Sequence, residues 1–217
     1  MSGTATPLRR NPFATRWVRP GAMPYLFAPG MDAAVVVRQF QASGWHGAIV
    51  GAHGSGKSTL LATVVPVIEQ MGIKVRQISL HDGERRLPTG AFDELPRGAV
   101  RNAADDLRQN GCPAAVLVID GYEQLNWWAR RQLQARCRRR GWGLLITVHD
   151  EARTGNVPIV FRTATDLATV QCLVDHMLPS SDGVILADDV AAAFKAHSGN
   201  VRETLFSLYD LFEQRRI

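Results

Sequence analysis

The sequence predicts an α/β protein of three layers, in which helices cover both faces of a mostly parallel sheet of about five strands. Three observations support this fold class. Short apolar runs recur along the chain at 48–50, 114–120 and 143–148. Helical patterns separate these runs, as they do in βαβ units. After residue 163 the sequence contains helical patterns only, which predicts a small C-terminal helical lid.

Amino-acid composition and its changes along the chain define the expected organisation of the 217 residues. Hydrophobic residues make up 46% and charged residues 21%, which is typical of a globular protein with a core. We expect an irregular N-terminal arm rich in Pro, Arg and aromatic residues over 1–30, a core over 31–163, and the lid over 164–217. The net charge of +5 is compatible with an acidic partner but too small to establish one.

Three features of the sequence predict the cellular compartment of the protein. The three cysteines are isolated, the N-terminus lacks an apolar signal segment, and no apolar run reaches the length of a membrane span. We therefore expect a cytoplasmic protein with reduced thiols.

The bounds of the individual helices and strands are predicted from the periodicity of apolar residues and from the positions of glycine and proline. Helices are expected over 31–42, 58–71, 98–110, 122–140, 164–178, 188–197 and 200–215, and strands over 48–50, 73–80, 114–120, 143–148 and 157–161. Pro66 should kink its helix, and Pro158 places the last strand at a sheet edge. In the arm, Tyr25 and Phe27 either pack against the outside of the core or stack on an adenine ring.

The most specific motif follows the first strand and fits the phosphate-binding pattern G-x-x-x-x-G-K-[ST] at every fixed position. Its residues are Gly51, Ala52, His53, Gly54, Ser55, Gly56, Lys57 and Ser58, with Thr59 next in the helix. Between a strand and a helix, the backbone N–H groups of such a loop form a nest for phosphate oxygens. Lys57 would reach the β- and γ-phosphates and Ser58 would ligate Mg²⁺. The loop predicts a nucleotide site.

Polar residues at the ends of two later strands complete the predicted site. Asp120 ends an apolar strand about 60 residues after the loop, where its carboxylate would hold Mg²⁺ opposite Ser58. Glu123 is either a general base for an attacking water or an acid favoured at a helix start. Thr147 and His149 are candidates to contact the γ-phosphate or the water, although a lone histidine is more often structural.

The order of phosphate loop, extra strand, acidic strand end, polar strand end and helical lid resembles the additional-strand branch of the P-loop NTPases. Within that branch, residues 44–215 look like a compact AAA+ or STAND-type ATPase. The resemblance implies the strand order 5-1-4-3-2, a Walker A loop, a Walker B acid at Asp120, and ATP as the nucleotide. No guanine-specifying Asn-Lys-x-Asp is present.

Three segments refine this resemblance. Residues 198–203 (SGNVRE) are similar to the AAA+ lid segment that carries the sensor-2 arginine, so Arg202 would touch the γ-phosphate and report nucleotide state. The Asp-Gly-x-Glu form at 120–123 is closer to STAND ATPases than to most AAA+ members. Residues 149–156 are too short for the helix that normally presents an arginine finger, and Arg153 is a weak candidate for that role.

A basic cluster follows the acidic strand, and two interpretations of it are open. It comprises Trp127 and Trp128 followed by Arg130, Arg131, Arg136, Arg138, Arg139 and Arg140. Basic and aromatic side chains together bind single-stranded nucleic acid through phosphate contacts and base stacking. Alternatively, the tryptophans pack inside and the arginines form a solvated helix end that the helix dipole favours.

Several functions are compatible with these features. The first is a Mg²⁺-dependent ATPase, slow by itself and faster on self-association or with a protein partner, whose nucleotide state repositions the lid. It would act as a molecular switch or assembly ATPase. The second is a nucleotide-binding switch or scaffold with negligible hydrolysis. A loader ATPase acting on nucleic acid, or a small-molecule kinase, has less support.

Overall fold

The computed structural model describes residues 11–19, 21–93, 95, 111–178 and 183–216. The chain divides into a core unit, residues 24–164, and a helical unit formed by the described parts of 1–23 and 165–217. Residues 24–30 of the predicted arm thus belong to the core unit, and residues 11–23 group with the helical unit. The interpretation of the helical unit as a lid stays a prediction.

The core unit is built around a sheet whose five strands run parallel. They are β1 (His46–Val50), β2 (Lys74–Ser79), β3 (Ala115–Asp120), β4 (Gly143–Val148) and β5 (Ile159–Arg162). Their order across the sheet is β2-β3-β4-β1-β5, so β4 lies between the strand that leads into the phosphate loop and the strand that ends in Asp120. The predicted fold class and strand order are confirmed. So is the edge position of the strand that follows Pro158.

Both faces of the sheet are covered, which explains the continuous apolar runs of the central strands. Leu117 and Ile119 of β3 contribute to one core cluster, whereas Val116 and Val118 contribute to the other. Helices α1 (Thr15–Val18), α2 (Ala33–Ala42), α3 (Lys57–Gln70) and α4 (Trp127–Arg140) come in this order along the chain. Of these, α2 and α3 pack on one face of the sheet and α4 packs on the other.

The helix predicted over 122–140 is interrupted in the structure. Tyr122–Gln124 form one short 3₁₀ turn, Leu125 is extended, and α4 begins only after Asn126, whose side chain accepts a hydrogen bond from Ala129 N. The predicted helix over 98–110 lies outside the described residues. Helix α3 continues through Pro66 to Gln70.

The helical unit has its own core. Helices α5 (Leu167–Met177), α6 (Ala187–Ala196) and α7 (Val201–Arg215) bury apolar side chains together with Phe13. The amide of Asn11 donates to Tyr209 O at 3.0 Å and to Glu213 Oε1 at 2.8 Å, which fastens the N-terminal segment to α7. Asn200 caps α7 by accepting from Glu203 N.

Two further sequence expectations concern the chain as a whole. Within the part of the chain that the structure describes, every helix is too short or too polar to cross a bilayer. All three cysteines are free thiols.

Candidate nucleotide-binding site

The predicted site residues of the core unit meet at one edge of the sheet. Because all strands are parallel, their carboxyl ends lie on the same side, and ligands of such sheets bind there. The phosphate loop leaves β1, Asp120 ends β3, and Thr147 and His149 lie at the end of β4. Thr163, which the sequence interpretation passed over, follows β5 at the same edge.

The phosphate loop has a backbone that only glycine accommodates easily. Gly54 and Gly56 have φ values of 70° and 87°, in the left-handed region. A Cβ on Gly51 would overlap Thr163 Oγ1 and press on Ser55 Oγ. These two hydroxyls are buried and lie 2.6 Å apart in a hydrogen bond. The floor of the loop is therefore fixed by a contact between the loop and the end of β5.

The start of α3 and the Lys57 ammonium give this loop its positive character. Among the described residues, no side chain caps α3, so its first N–H groups point toward the loop without a side-chain acceptor. Lys57 is 7% exposed, and its Nζ donates to Gly51 O at 2.6 Å and to Ala52 O at 2.8 Å. Phosphate oxygens accept stronger, charge-assisted hydrogen bonds than these carbonyl groups do. The loop therefore fits the phosphate groups of a nucleotide.

Ser58, Asp120 and Thr147 form a chain of hydrogen bonds across α3, β3 and β4. Ser58 Oγ donates to Asp120 Oδ2 at 2.6 Å, and Thr147 Oγ1 donates to Asp120 Oδ1 at 2.6 Å. Thr147 also accepts from Gly121 N at 2.9 Å and is fully buried. Its hydroxyl thus holds the Asp120 carboxylate, and its predicted contact with a phosphate or a water stays a prediction.

The pair of Ser58 and Asp120 suits a hard cation. Hydroxyl and carboxylate oxygens are ligands that Mg²⁺ accepts, and Mg²⁺ usually takes one or two protein ligands besides phosphate oxygens and water. Among the described residues, no three His, Cys, Asp or Glu side chains gather as a metal cage. The two oxygens fit Mg²⁺ carried by a nucleotide.

A tight turn brings Glu123 back toward the phosphate loop. Gly121 has φ 84°, and a Cβ there would lie 2.6 Å from Leu80 O, so the turn needs glycine. Arg130 supports the turn from α4, because its Nη2 donates to Glu123 O at 2.7 Å and its Nε to Leu125 O at 2.8 Å. Glu123 thus precedes α4 instead of lying on it.

The Glu123 carboxylate is 10% exposed and bonded through one oxygen only. Its Oε1 lies 2.5 Å from His149 Nε2. Its Oε2 is buried and has no hydrogen-bond partner within the described part of the chain. Burial raises the pKa of Glu123 above the ordinary glutamate value, although the residue's own backbone N–H and then the Lys57 charge act in the opposite direction. A buried, half-satisfied carboxylate with a raised pKa is suited to accept a proton.

His149 joins Glu123 to the phosphate loop as a neutral imidazole. Burial, then the charges of Lys57 and His53, lower the pKa of His149 to about 4. Its Nδ1 lies 3.1 Å from Lys57 Nζ, which can only donate, so Nδ1 accepts and Nε2 carries the hydrogen that Glu123 receives. The Glu123 contact is therefore a hydrogen bond from a neutral ring to a carboxylate. The ring of His53 stacks on His149 with centroids 3.4 Å apart.

Three features of the site were not predicted from the sequence: the supporting residues Thr163 and Arg130, and the contact between His53 and His149. Thr163 could have been found by the rule that identified Thr147, since both are polar residues at the carboxyl end of a strand. The bond from Arg130 on α4 to the Glu123 turn and the stacking of His53 on His149 have no signal in the sequence, because each joins two separate structural elements.

The aromatic residues of the predicted arm pack on the core unit. Tyr25 lies 4.9 Å from Phe27 and 6.0 Å from Phe161 between ring centroids, in edge-to-face arrangements. Its N–H donates to Thr63 Oγ1, and a Cβ on Gly56 would lie 3.3 Å from its ring. This arrangement favours the packing alternative, and Tyr25 borders the phosphate loop. Adenine stacking stays a prediction.

Two arginines remain among the residues predicted from the sequence. Arg202 is exposed on the first turn of α7, in the helical unit, and its sensor role stays a prediction. Arg153 is exposed at the end of a three-residue 3₁₀ turn, Glu151–Arg153.

The loop, the acid at the end of β3 and the strand between them give the core unit the fold of a three-layer P-loop NTPase. Solved structures similar to the chain include a DNA replication initiation factor and AMPPCP-bound DnaA from Aquifex aeolicus. The first shares 15% identity over 85% of this chain, with a TM-score of 0.48, and the second 15% over 83%, with a TM-score of 0.44. The match spans 61% of each of those chains. The sequence matches no protein-family model and no curated protein.

Proposed function

We propose that the protein binds ATP with Mg²⁺ and hydrolyses it slowly, as a molecular switch or assembly ATPase. The observation that carries this proposal is the 2.6 Å contact between Ser58 Oγ of the phosphate-loop helix and Asp120 Oδ2 of β3. It brings a hydroxyl and a carboxylate together beside a lysine-bearing loop, which is the arrangement that a metal–nucleotide site needs.

The binding step uses the loop and its lysine. The loop N–H groups and Lys57 would take the β- and γ-phosphates, with the ammonium exchanging the carbonyls of Gly51 and Ala52 for phosphate oxygens. Ser58 and Asp120 would hold Mg²⁺, which neutralises charge that builds up on the phosphoryl oxygens. Thr147 keeps the Asp120 carboxylate oriented from the opposite side.

The hydrolytic step uses Glu123 as the general base. Its unpartnered Oε2 would accept a proton from water as the water oxygen bonds to the γ-phosphorus and the bond to the ADP oxygen breaks. His149 holds the other carboxylate oxygen through Nε2–H, so His149 is a positioning residue in this scheme.

The slow rate in this proposal rests on the short segment that joins β4 to β5. Residues 149–156 carry only one short 3₁₀ turn, whereas an arginine finger is normally presented by a helix. A trans arginine accelerates related reactions by about 10³ to 10⁵. We therefore propose that turnover rises on self-association or with a protein partner. The role of Arg202 in reporting nucleotide state is part of the proposal and rests on the resemblance alone.

The proposal is tested by measuring nucleotide binding and turnover over a series of protein concentrations. The wild-type protein is compared with three variants. Lys57→Ala should abolish ATP binding. Glu123→Gln should keep ATP affinity within about twofold and lower turnover by about 10² to 10⁴. Glu69→Gln makes the same chemical change at an exposed position on α3 and should behave as wild type.

Two outcomes would contradict parts of the proposal. Turnover that is negligible in the wild-type protein and unchanged by Glu123→Gln, while Lys57→Ala abolishes binding, would favour the switch or scaffold with negligible hydrolysis. Fast turnover that does not change with protein concentration would exclude activation by self-association.

A further inference from the structure

Helix α4 presents two tryptophans to solvent. Trp127 is 58% exposed and Trp128 is 69% exposed. The alternative in which they pack inside is therefore wrong, and the buried side of α4 is formed by Leu133 and Cys137 instead. The two rings contact each other edge to face, 4.6 Å apart. Two adjacent exposed tryptophans form a contiguous apolar patch, and such patches are candidates for interaction sites.

Three arginines extend the same side of α4. At about 100° per residue, Arg131 and Arg138 fall within the arc that Trp127 and Trp128 define, and Arg139 lies about 20° beyond the Trp128 side of it. All three arginines are exposed. The Arg131 guanidinium lies 5.1 Å from the centroid of the Trp127 ring. We call this set of five side chains the Trp–Arg face.

The other three arginines of the predicted basic cluster contact groups of the core unit. Arg130 binds backbone carbonyl groups, Arg136 lies 3.9 Å over the Phe92 ring, and Arg140 lies 5.9 Å over the Trp142 ring. The six predicted arginines thus divide into three that support the core unit and three that belong to the exposed face.

The charge of the Trp–Arg face identifies the kind of partner that would complement it. Helix α4 contains no Asp or Glu, and among the described residues Arg138 and Arg139 contact no carboxylate. An arginine array matches phosphate groups, whereas flat exposed rings match the faces of unpaired bases. A duplex hides its base faces in the stack, so only a single strand offers both groups at once.

We propose that the Trp–Arg face binds single-stranded nucleic acid. Bases stack on Trp127 and Trp128, and the phosphates that follow run toward Arg131, Arg138 and Arg139. From Trp128 to Arg139 the helix rises about 16 Å, so the face spans a few nucleotides. Recognition of this kind tolerates any sequence, because every base has a stacking face.

Fluorescence anisotropy tests the proposal. It would measure the binding of a labelled oligothymidylate and a labelled oligouridylate of about 20 nucleotides without ATP. Trp127→Ala/Trp128→Ala should weaken binding at least about tenfold, whereas Trp127→Phe/Trp128→Phe should retain most of the affinity, because phenylalanine still stacks. All four side-chain changes are at exposed positions and should leave the fold intact, which circular dichroism checks. A duplex of equal length should bind more weakly.

The salt dependence of binding tests the arginines separately. Removing two phosphate contacts with Arg138→Gln/Arg139→Gln should reduce the slope of log affinity against log salt by about 1.4. Arg38→Gln/Lys74→Gln removes the same charge at exposed positions outside the face and should leave the slope near the wild-type value. Lys57→Ala should bind the oligonucleotides normally, so failure of the proposed ATPase would not be mistaken for failure of this face.

Three results would overturn the proposal. One is that neither oligonucleotide binds the wild-type protein at low salt. Another is that duplex and single strand bind equally and the alanine variant matches wild type. A third is that the alanine variant changes sedimentation while oligonucleotide affinity stays the same, which would identify the face as a contact between copies of the chain.

Discussion

Replacing Thr147 by valine distinguishes two roles of its buried hydroxyl. The hydroxyl either holds the Asp120 carboxylate or contacts the nucleotide directly. Thr147 Oγ1 donates to Asp120 Oδ1 at 2.6 Å and accepts from Gly121 N at 2.9 Å. Valine has nearly the same shape, so Thr147→Val removes these two hydrogen bonds without opening a cavity. Among the described residues, the Asp120 carboxylate would then keep only the Ser58 bond, and the N–H of Gly121 would lose its side-chain acceptor.

The size of the effect follows from these two contacts. A hydrogen bond to a charged group contributes about 1.5–3 kcal/mol, and an unsatisfied buried amide costs about 1–3 kcal/mol. The contacts share one hydroxyl and are not independent, so we expect the free energy of unfolding of the core unit to fall by about 2–4 kcal/mol. This is a large fraction of the 5–15 kcal/mol that is roughly typical of a domain.

Urea unfolding followed by tryptophan fluorescence measures this loss, because four of the five tryptophans belong to the core unit: Trp45, Trp127, Trp128 and Trp142. Thr147→Ser keeps the hydroxyl and should lose only about 1 kcal/mol for the missing methyl group. In turnover assays, Thr147→Val should require more Mg²⁺ for half-maximal activity, because Asp120 is less well held. Thr147→Ser should resemble wild type.

The opposite pattern would refute this reasoning. If Thr147→Val unfolds at the wild-type urea concentration, keeps its Mg²⁺ dependence and raises the KM for ATP, the hydroxyl acts on the nucleotide directly. Its hydrogen bonds to Asp120 and Gly121 would then be incidental.

The remaining predictions concern Glu123, His149 and Gly51. Because burial raises the pKa of Glu123, turnover should fall on its acidic side at a higher pH than an ordinary glutamate would give, and His149→Gln should lower kcat about tenfold with little change in KM. The pKa of His149 is about 4 in the folded protein and 6.5 ordinarily, so only the unfolded chain gains its proton as pH falls between these values. Stability should therefore decline through this window, and less so in His149→Gln, as urea midpoints at several pH values would show. Gly51→Ala should cost about 1–3 kcal/mol of stability through its overlap with Thr163, and Thr163→Ala should restore part of that loss.

The parts of the site that the sequence predicts depend on local patterns and on one general rule. Apolar runs identify β3 and β4 because both strands are buried on both faces. The phosphate loop is recognised from its fixed glycines and lysine. Since parallel strands share a carboxyl edge, Asp120 and Thr147 could be expected close to Ser58 without any coordinates.

The parts that the sequence does not predict depend on contacts between distant segments. The turn at Gly121 interrupts a stretch in which nearly every residue tolerates a helix, and the close approach of Leu80 O decides the conformation there. The neutrality of His149 comes from burial and from Lys57 on another loop. The exposure of Trp127 depends on which side of α4 meets the sheet, and a pair of adjacent tryptophans does not specify that side.

The two outer strands of the sheet limit how copies of this chain can meet. Exposed edges of a sheet can pair with another molecule, and charged residues, proline and shortness discourage that pairing. β2 has Lys74 and Arg76 along its length, whereas β5 has four residues, follows Pro158 and ends in Arg162. Both edges therefore disfavour strand addition and the aggregation that it seeds. We expect any assembly of this protein to form through side-chain surfaces instead of a sheet that continues from one molecule into the next.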